Sequence, residues 1–220
     1  MTGAFRGLFL AIAAFHSETT RARLHPGQFH RTLEDLLAGA DAQARASGLE
    51  PNLWQQAKYA AVALCDDLAL HGDWDHAEQW NRHLLELRHF NTSFAGQEFF
   101  DRLARLRQQL GGVQDSALRE QVLGVIEVYA TCMRLGFRGR CRNAPPGELE
   151  QIVNATTQLL LPQGGSASRV WDEAYRDAPK GRILYRRLLW WWPIPLSAAA
   201  AVAVWFLLSA AQARRVDQAV

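Results

Sequence analysis

The sequence predicts an all-α fold of about seven helices, followed by one C-terminal transmembrane helix. Among its 220 residues, 34 Ala and 30 Leu outnumber 11 Val and 5 Ile, a balance that favours helices over strands. Apolar residues recur at helical spacing along most of the chain, whereas no segment of strand length alternates apolar and polar residues. Residues 188–213 carry no formal charge, as expected of a membrane span.

The helices before the span are identified in order from their apolar stripes. The stripes are Leu8 to Phe15, Phe29 to Ala44, Trp54 to Leu68, Ala77 to Leu87, Phe99 to Leu110, Leu118 to Met133 and Leu149 to Leu160. Pro51 suits the first turn of the third helix, and Gly136 suits the left-handed position that follows the sixth. We therefore predict one compact helical bundle, or two.

The uncharged stretch predicts a transmembrane helix over residues 188–211. As a helix, residues 188–213 would extend about 39 Å, more than the ~30 Å hydrocarbon core of a bilayer. Three tryptophans, Trp190 to Trp192, lie where an interfacial aromatic belt is expected. Six cations precede the span and two follow it, so the positive-inside rule places the N-terminal part in the cytoplasm. The alternative is a buried core helix.

The N-terminus allows a second interpretation, a secretory signal. Arg6 precedes a short apolar run, and Ala11-Ile12-Ala13 imitates a cleavage site. The run is only about nine residues long, which is short for a signal peptide. Because Leu8, Ile12 and Phe15 fit one helical stripe, an amphipathic first helix is preferred.

Charge and cysteine content exclude several classes of protein. The formal net charge is +2, so no overall positive field favours nucleic acid as a partner. The three cysteines, Cys65, Cys132 and Cys141, form no CxxC pair, which supports neither structural zinc nor a disulfide framework. A reducing compartment with free, buried thiols is expected.

Two charged clusters are the candidate sites. The acidic cluster from Asp66 to Glu78 contains His71 and His76, but its spacing matches no known metal-ligand pattern, so a solvated acidic surface or partner site is favoured. The basic cluster from Arg134 to Arg142 follows a helix end, where cations stabilise the helix dipole, and a docking patch for protein or anionic lipid is the alternative. Since no Walker loop, GxSxG or HExxH motif occurs, we predict no enzyme activity, cofactor or metal.

Four parts of the chain follow from these features. They are a cytoplasmic helical domain (1–161), a connector with a basic juxtamembrane segment (162–187), the transmembrane helix (188–211) and a short periplasmic tail (212–220). Gly164-Gly165-Ser166 marks the connector as a linker.

Several short sequence motifs follow one another along the chain in an order that is typical of a known family. Lys58 to Asp67 is similar to a helix written ARYALAALLDE, and Trp74 matches the WG turn after it. Trp80 opens a W…LL segment, Gly96 to Phe100 is similar to GGExFF, and Leu135 to Arg142 is similar to LGFEGRYR. In this order the motifs resemble the DotU/TssL family of type VI secretion systems, which is related to IcmH/DotU of type IVB systems. The chain departs from the family pattern at Asp67, Asp75, Gln97, Arg138 and Cys141.

The resemblance implies a structural protein rather than an enzyme. Its expected fold is a hook-shaped cytoplasmic domain of two packed helical bundles, anchored in the bacterial inner membrane by a single pass with a periplasmic C-terminus. The implied partners are a TssM/IcmF-like inner-membrane protein, a TssJ-like lipoprotein reached through the complex, baseplate proteins and inner-membrane lipid. Formation of a homodimer is a further possibility.

The partner-binding residues proposed from the sequence are Asp66, Asp67, Asp73, Trp74, Asp75, Arg138 and Arg140. Binding through these groups would depend on charge complementarity with the partner. The alternative function is that of a tail-anchored helical protein with a metal-dependent or hydrolytic activity unrelated to secretion.

Overall fold

The computed structural model describes residues 1–161, and the regular structure there is helical throughout. The helices are α1 (Arg6–Phe15), α2 (Glu18–Arg21), α3 (Pro26–Ala46), α4 (Pro51–His71), α5 (Ala77–Asn81), α6 (Leu85–Phe90), α7 (Ala95–Gly112), α8 (Ser116–Arg134) and α9 (Glu148–Leu160). Two short 3-10 helices, Thr2–Phe5 and Gly139–Asn143, precede α1 and follow α8. The described residues belong to one compact unit, Met1–Ala167. The predicted all-α class is confirmed, while the hook shape and the two bundles stay predictions.

All seven segments predicted to be helical before the span are helical, but one of them is divided. The stripe from Ala77 to Leu87 belongs to two short helices, because Leu84 has an extended backbone (φ −57°, ψ 133°) between α5 and α6. The single turn of α2 is a further helix that the stripes did not predict. Gly136 follows α8 with φ 109°, which confirms the left-handed position predicted for it.

Helix α1 is the amphipathic helix that the N-terminal pattern predicts. Its stripe of Leu8, Ile12 and Phe15 is buried, each at 2% exposure or less. Phe15 stacks on Phe29 of α3 with ring centroids 5.0 Å apart. The N-terminal segment is therefore part of the core of this unit.

Helix α4 lies at the centre of the core. Helices α5, α6, α7 and α8 all pack against it, and it is buried from Ala57 to Asp67 without interruption. Small residues permit this close packing, since Ala57, Ala60 and Ala61 are fully buried. A helix buried on all sides carries no single apolar stripe, so the one-sided stripe predicted from Trp54 to Leu68 understates its burial.

The segments predicted to anchor the protein in the membrane come after the last described helix. Within residues 1–161 no helix combines the length and apolar character needed to cross a bilayer. The predicted connector (162–187), span (188–211) and tail (212–220) lie outside the described residues.

Candidate functional site: a cleft between α4, α7 and the loop after α8

A cleft of about 350 Å³ opens between three segments that are distant in sequence. We call it the α4/α7 cleft. It is lined from α4 by Ala63, Asp66, Asp67, Leu70 and His71, from α6 and the start of α7 by Glu86 and Ser93 to Gln97, and from the loop after α8 by Phe137, Gly139 and Arg140. These are the segments that carry three of the motifs quoted above, so the motifs meet in space.

Asp66 is a buried acceptor for three N–H groups. Its Oδ1 accepts from Trp80 Nε1 at 2.8 Å and from Leu85 N at 3.1 Å, and its Oδ2 accepts from Glu86 N at 2.7 Å. Leu84, the residue before α6, makes no capping hydrogen bond with its side chain, so Asp66 supplies the cap from α4. Burial raises the pKa of Asp66 to about 6, against the opposing effect of these hydrogen bonds.

Glu86 repeats the same arrangement one helix later. Its Oε2 accepts from Ala95 N at 2.8 Å and caps α7, whose preceding residue, Phe94, makes no capping bond with its side chain. The Glu86 residue is 5% exposed, and burial raises the pKa of its carboxyl to about 7. Carboxylates of α4 and α6 therefore fix the starts of α6 and α7 in succession.

Asp67 ties the loop after α8 to α4. Its carboxylate accepts from Arg138 N at 3.0 Å and from Arg142, whose Nη2 lies 3.0 Å from both oxygens. His71 Nδ1 lies 3.2 Å from Oδ1 of the same group, one turn along α4. Since Asp67 is 7% exposed, these contacts occupy a carboxylate that has little access to solvent.

The same loop lies close to the start of α7. A Cβ on Gly139, which has φ +45°, would be 2.5 Å from the carbonyl oxygen of Gly96. Phe137 stacks on Phe99 of α7 with ring centroids 3.9 Å apart, and both rings are fully buried. The inner wall of the cleft is therefore a packed core interface.

The mouth of the cleft carries exposed side chains that a partner could contact. Phe94 is 65% exposed, a large apolar side chain beside the buried Glu86. Arg140 Nη1 lies 2.7 Å from Asp101 Oδ1, its guanidinium lies 5.1 Å from the centre of the Phe100 ring, and its side chain is 45% exposed. Arg138 lies between these lining residues of the loop without lining the cleft itself; it is exposed, and its backbone N–H is bound to Asp67.

The seven residues proposed from the sequence have different environments. Asp66 and Asp67 are buried, so the prediction that they form part of a solvated acidic surface is wrong, because their oxygens are used as hydrogen-bond acceptors within the fold. Trp74 is 8% exposed and packs edge-on against Phe15 and Phe29. The remaining four are exposed: Asp73, Asp75, Arg138 and Arg140.

Sequence reasoning did not identify Glu86 or Phe94. Nothing in the pattern around Glu86 distinguishes it from an exposed helical Glu, because its partner, Ala95 N, is fixed only by the tertiary fold. Phe94 carried a usable signal, since an aromatic residue directly after the polar turn Asn91-Thr92-Ser93 has no helical stripe to join.

Within residues 1–161 no group of three or more His, Cys, Asp or Glu side chains is placed to hold a metal ion. Burial raises the pKa of Cys65 and of Cys132, which keeps both thiols protonated and unreactive. The buried carboxylates act as hydrogen-bond acceptors, and the exposed side chains at the mouth can act in binding.

Two solved structures are similar to this fold. The cytoplasmic domain of TssL from Acinetobacter baumannii is 25% identical, with a TM-score of 0.55 over 71% of this chain and 91% of that one. The structure of T6SS SciP/TssL from Escherichia coli Enteroaggregative 042 is 20% identical, with a TM-score of 0.55 over 75% of this chain and 92% of that one. No curated protein matches the chain.

The sequence itself matches a family over nearly its whole length. The family described as type VI secretion system protein DotU matches residues 1–211. This range includes all the helices described above, and it confirms the resemblance drawn from the motifs. The chain therefore belongs to the DotU family of type VI secretion system proteins.

Proposed function

We propose that this chain is a non-catalytic structural component of the type VI secretion membrane complex. It is held in the inner membrane, binds a TssM/IcmF-like partner and recruits the cytoplasmic baseplate, and the α4/α7 cleft is a docking site for a baseplate protein. Binding free energy and geometry are sufficient for such a role, with no covalent step.

The observation that carries the proposal is the meeting of three motif segments at one open cleft. Its inner polar groups, Asp66, Asp67 and Glu86, are already used to fix the surrounding helices and loop. Its mouth presents an exposed aromatic ring, Phe94, and the guanidinium of Arg140. Aromatic and arginine side chains are the types enriched among residues that dominate protein interfaces.

Anchoring and the membrane partners rest on the sequence. The uncharged stretch 188–213, with cations concentrated before it, supports a single span whose N-terminal side is cytoplasmic and whose tail is periplasmic. The TssM/IcmF-like protein, and through it a TssJ-like lipoprotein, are partners proposed from family membership. The exposed Asp73 and Asp75 remain a second candidate docking surface, separate from the buried Asp66 and Asp67.

Affinity purification of the full-length protein from its native bacterium in mild detergent tests the proposal. We expect the wild type to recover both a TssM-like protein and baseplate proteins. Phe94→Ser and Arg140→Glu should lower recovery of the baseplate proteins and leave that of the TssM-like protein unchanged. A charge-reversed pair, Asp73→Lys with Asp75→Lys, tests the second surface in the same way.

Leu10→Ser is the matched control, because Leu10 is 62% exposed on α1 and does not line the cleft. If Leu10→Ser and Phe94→Ser lower baseplate recovery equally, the cleft is not the docking site. If neither partner is recovered from extracts in which both are expressed, the proposed role in the complex is wrong.

A further inference from the structure

A second concave surface lies between the start of α3 and the α5–α6 segment. It has a volume of about 410 Å³ and shares no lining residue with the α4/α7 cleft. We call it the basic groove. Its apolar lining consists of the buried Pro26 and Trp80, the half-buried Leu84, and Leu87 at 52% exposure.

The apolar part of the basic groove is fixed in place by contacts below it. Trp80 is 2% exposed, and its indole N–H already donates to Asp66, so the small part of the ring that lines the groove is carbon surface. The His30 ring lies 5.4 Å from the Trp80 ring, and its Nε2 lies 3.1 Å from the carbonyl oxygen of His83. An occupant would therefore meet a preformed surface, which lowers the entropic cost of binding.

Every titratable side chain that lines this groove, among the residues that the structure describes, is a base. They are His30, Arg82, His83 and Arg88. Arg88 Nε lies 3.3 Å from Glu34, but its side chain remains 69% exposed. Arg82 is exposed and makes no ion pair with any residue in 1–161. Among residues 1–161 no carboxylate lines the groove, and because Glu34 balances Arg88, Arg82 supplies the excess positive charge next to the exposed apolar surface.

These features select the chemistry of the occupant. A volume near 400 Å³ is within the range of about 300–1,000 Å³ that ligand pockets occupy, enough for a large side chain with its flanking backbone. Carboxylates pair with arginine through two parallel hydrogen bonds, which favours an acidic occupant. A flat bilayer could reach Arg82 and Leu87 at the rim, but it could not enter a concave surface to contact Trp80.

We propose that the basic groove binds a short acidic segment of a partner protein. One large apolar side chain of that segment packs against Trp80 and Leu87, and its flanking carboxylates pair with Arg82 and Arg88. Attraction between complementary charges would then control the rate of association, and burial of the apolar side chain would control the rate of dissociation.

Fluorescence anisotropy with labelled octapeptides and the full-length protein in mild detergent tests this proposal. The probe is GDELFDEG, compared with the basic GKKLFKKG and with GDEGGDEG, which lacks the apolar pair. We expect GDELFDEG to bind at least about tenfold more tightly than either comparison peptide. Its affinity should fall with added salt, because the screening length shortens from about 10 Å at 0.1 M to 3 Å at 1 M.

Variants assign the binding to the groove. Arg82→Glu should weaken GDELFDEG binding about tenfold and reduce its salt dependence, and Leu87→Ser should weaken it mainly through faster dissociation. The matched controls are Arg45→Glu, an exposed arginine of α3 outside the groove, and Leu10→Ser, an exposed leucine of α1. Both controls should bind the probe as the wild type does, and circular dichroism should show the same helical content in all four variants.

Three outcomes would overturn the proposal. The first is that GKKLFKKG binds the wild type as tightly as GDELFDEG does, or that GDELFDEG binds Arg82→Glu and Leu87→Ser as tightly as it binds the wild type. The second is that no peptide binds and that analytical ultracentrifugation shows a wild-type dimer which Leu87→Ser dissociates. The occupant would then be a second copy of this chain. The third is that no peptide binds and that the protein associates with phosphatidylserine micelles in a way that depends on Arg82. The groove would then be a lipid-binding site.

Discussion

Asp66 and Glu86 show how single carboxylates organise this fold. Each lies on one helix and accepts backbone N–H groups at the start of another, Asp66 at α6 and Glu86 at α7. The N-terminal N–H groups of a helix have no partners within it, and they carry a partial positive charge that a carboxylate stabilises. The local positions before α6 and α7 are held by Leu84 and Phe94, which cannot cap with their side chains.

Replacing Asp66 by leucine tests this role. Asp66→Leu keeps a side chain of similar size but leaves three buried N–H groups without an acceptor. We expect the free energy of unfolding to fall by about 3 kcal/mol or more, measured by urea denaturation, since each unsatisfied buried group costs about 1–3 kcal/mol. Asp73→Leu, at a fully exposed side chain, should change it by less than about 0.5 kcal/mol. Equal losses in the two variants would contradict a capping role for Asp66.

Glu86 makes the stability of the protein depend on pH. Burial raises its pKa from an ordinary 4.5 to about 7 in the folded state, with the charges of Asp66 and Glu98 acting in the same direction. The folded state therefore holds this proton more strongly than the unfolded state, so stability from this group is present below pH 4.5 and lost as pH rises through 7.

Glu86→Gln removes the titration and keeps an amide oxygen for Ala95 N. We expect the variant to have a higher Tm than the wild type at pH 8 and a much smaller advantage at pH 5, measured by thermal unfolding with circular dichroism. Glu120→Gln, an exposed carboxyl on α8, is the matched control and should shift Tm little at either pH. A Glu86→Gln advantage that is the same at pH 5 and pH 8 would rule out the titration.

At the scale of elements, the loop after α8 is fixed by contacts with two helices. Asp67 of α4 holds its backbone and Arg142, and Phe99 of α7 stacks on Phe137. Gly139 lies where the loop passes the start of α7, with a left-handed backbone and no space for a Cβ. Close passage of two backbones requires glycine at this point.

Gly139→Ala should destabilise the fold, because its Cβ would meet Gly96 and the Phe137 ring at 2.5 to 3.0 Å. We expect a loss of about 1–3 kcal/mol in the free energy of unfolding, the range for a strained left-handed position. Gly111→Ala is the control, since no atom of the described residues lies within 4 Å of a Cβ added at Gly111, near the end of α7. It should be neutral or add up to about 1 kcal/mol through helix propensity. A smaller loss for Gly139→Ala than for Gly111→Ala would refute the close passage.

For the molecule as a whole, the described helices form one core, and the α4/α7 cleft and the basic groove are separate concave surfaces on it. The large buried side chains of that core extend from Phe5 to Phe137, so one core includes both the N-terminal segment and the loop after α8. The α4/α7 cleft and the basic groove approach each other at the Trp80–Asp66 hydrogen bond, in which a groove residue donates to a cleft residue.

A chain truncated after Ala167 should fold without the rest of the sequence, because the compact unit Met1–Ala167 contains this core. We expect high helical content by circular dichroism and a single cooperative unfolding transition. The untruncated protein in detergent provides the reference for helical content. Aggregation of the truncated chain, or an uncooperative transition, would mean that residues after 167 contribute to the core.

The sequence alone determined the all-α class, the apolar faces of the longer helices and membership of the family. Stripes such as Leu8, Ile12 and Phe15 indicate a buried face because helix geometry repeats every 3.6 residues, which is a local property. The left-handed backbone of Gly136 was predicted from a local rule of the same kind, because helices commonly end with a left-handed residue and glycine adopts that conformation most easily.

The tertiary structure alone decided where the helices around the cleft begin and which charges remain exposed. The break at Leu84 and the starts of α6 and α7 depend on carboxylates 18 to 20 and 9 residues away in sequence. Asp66 and Asp67 look like surface acids in the sequence, but their burial depends on N–H donors and an arginine that only the fold brings to them. Local patterns specify the face of a helix, whereas the environment of a charged group depends on the groups packed against it.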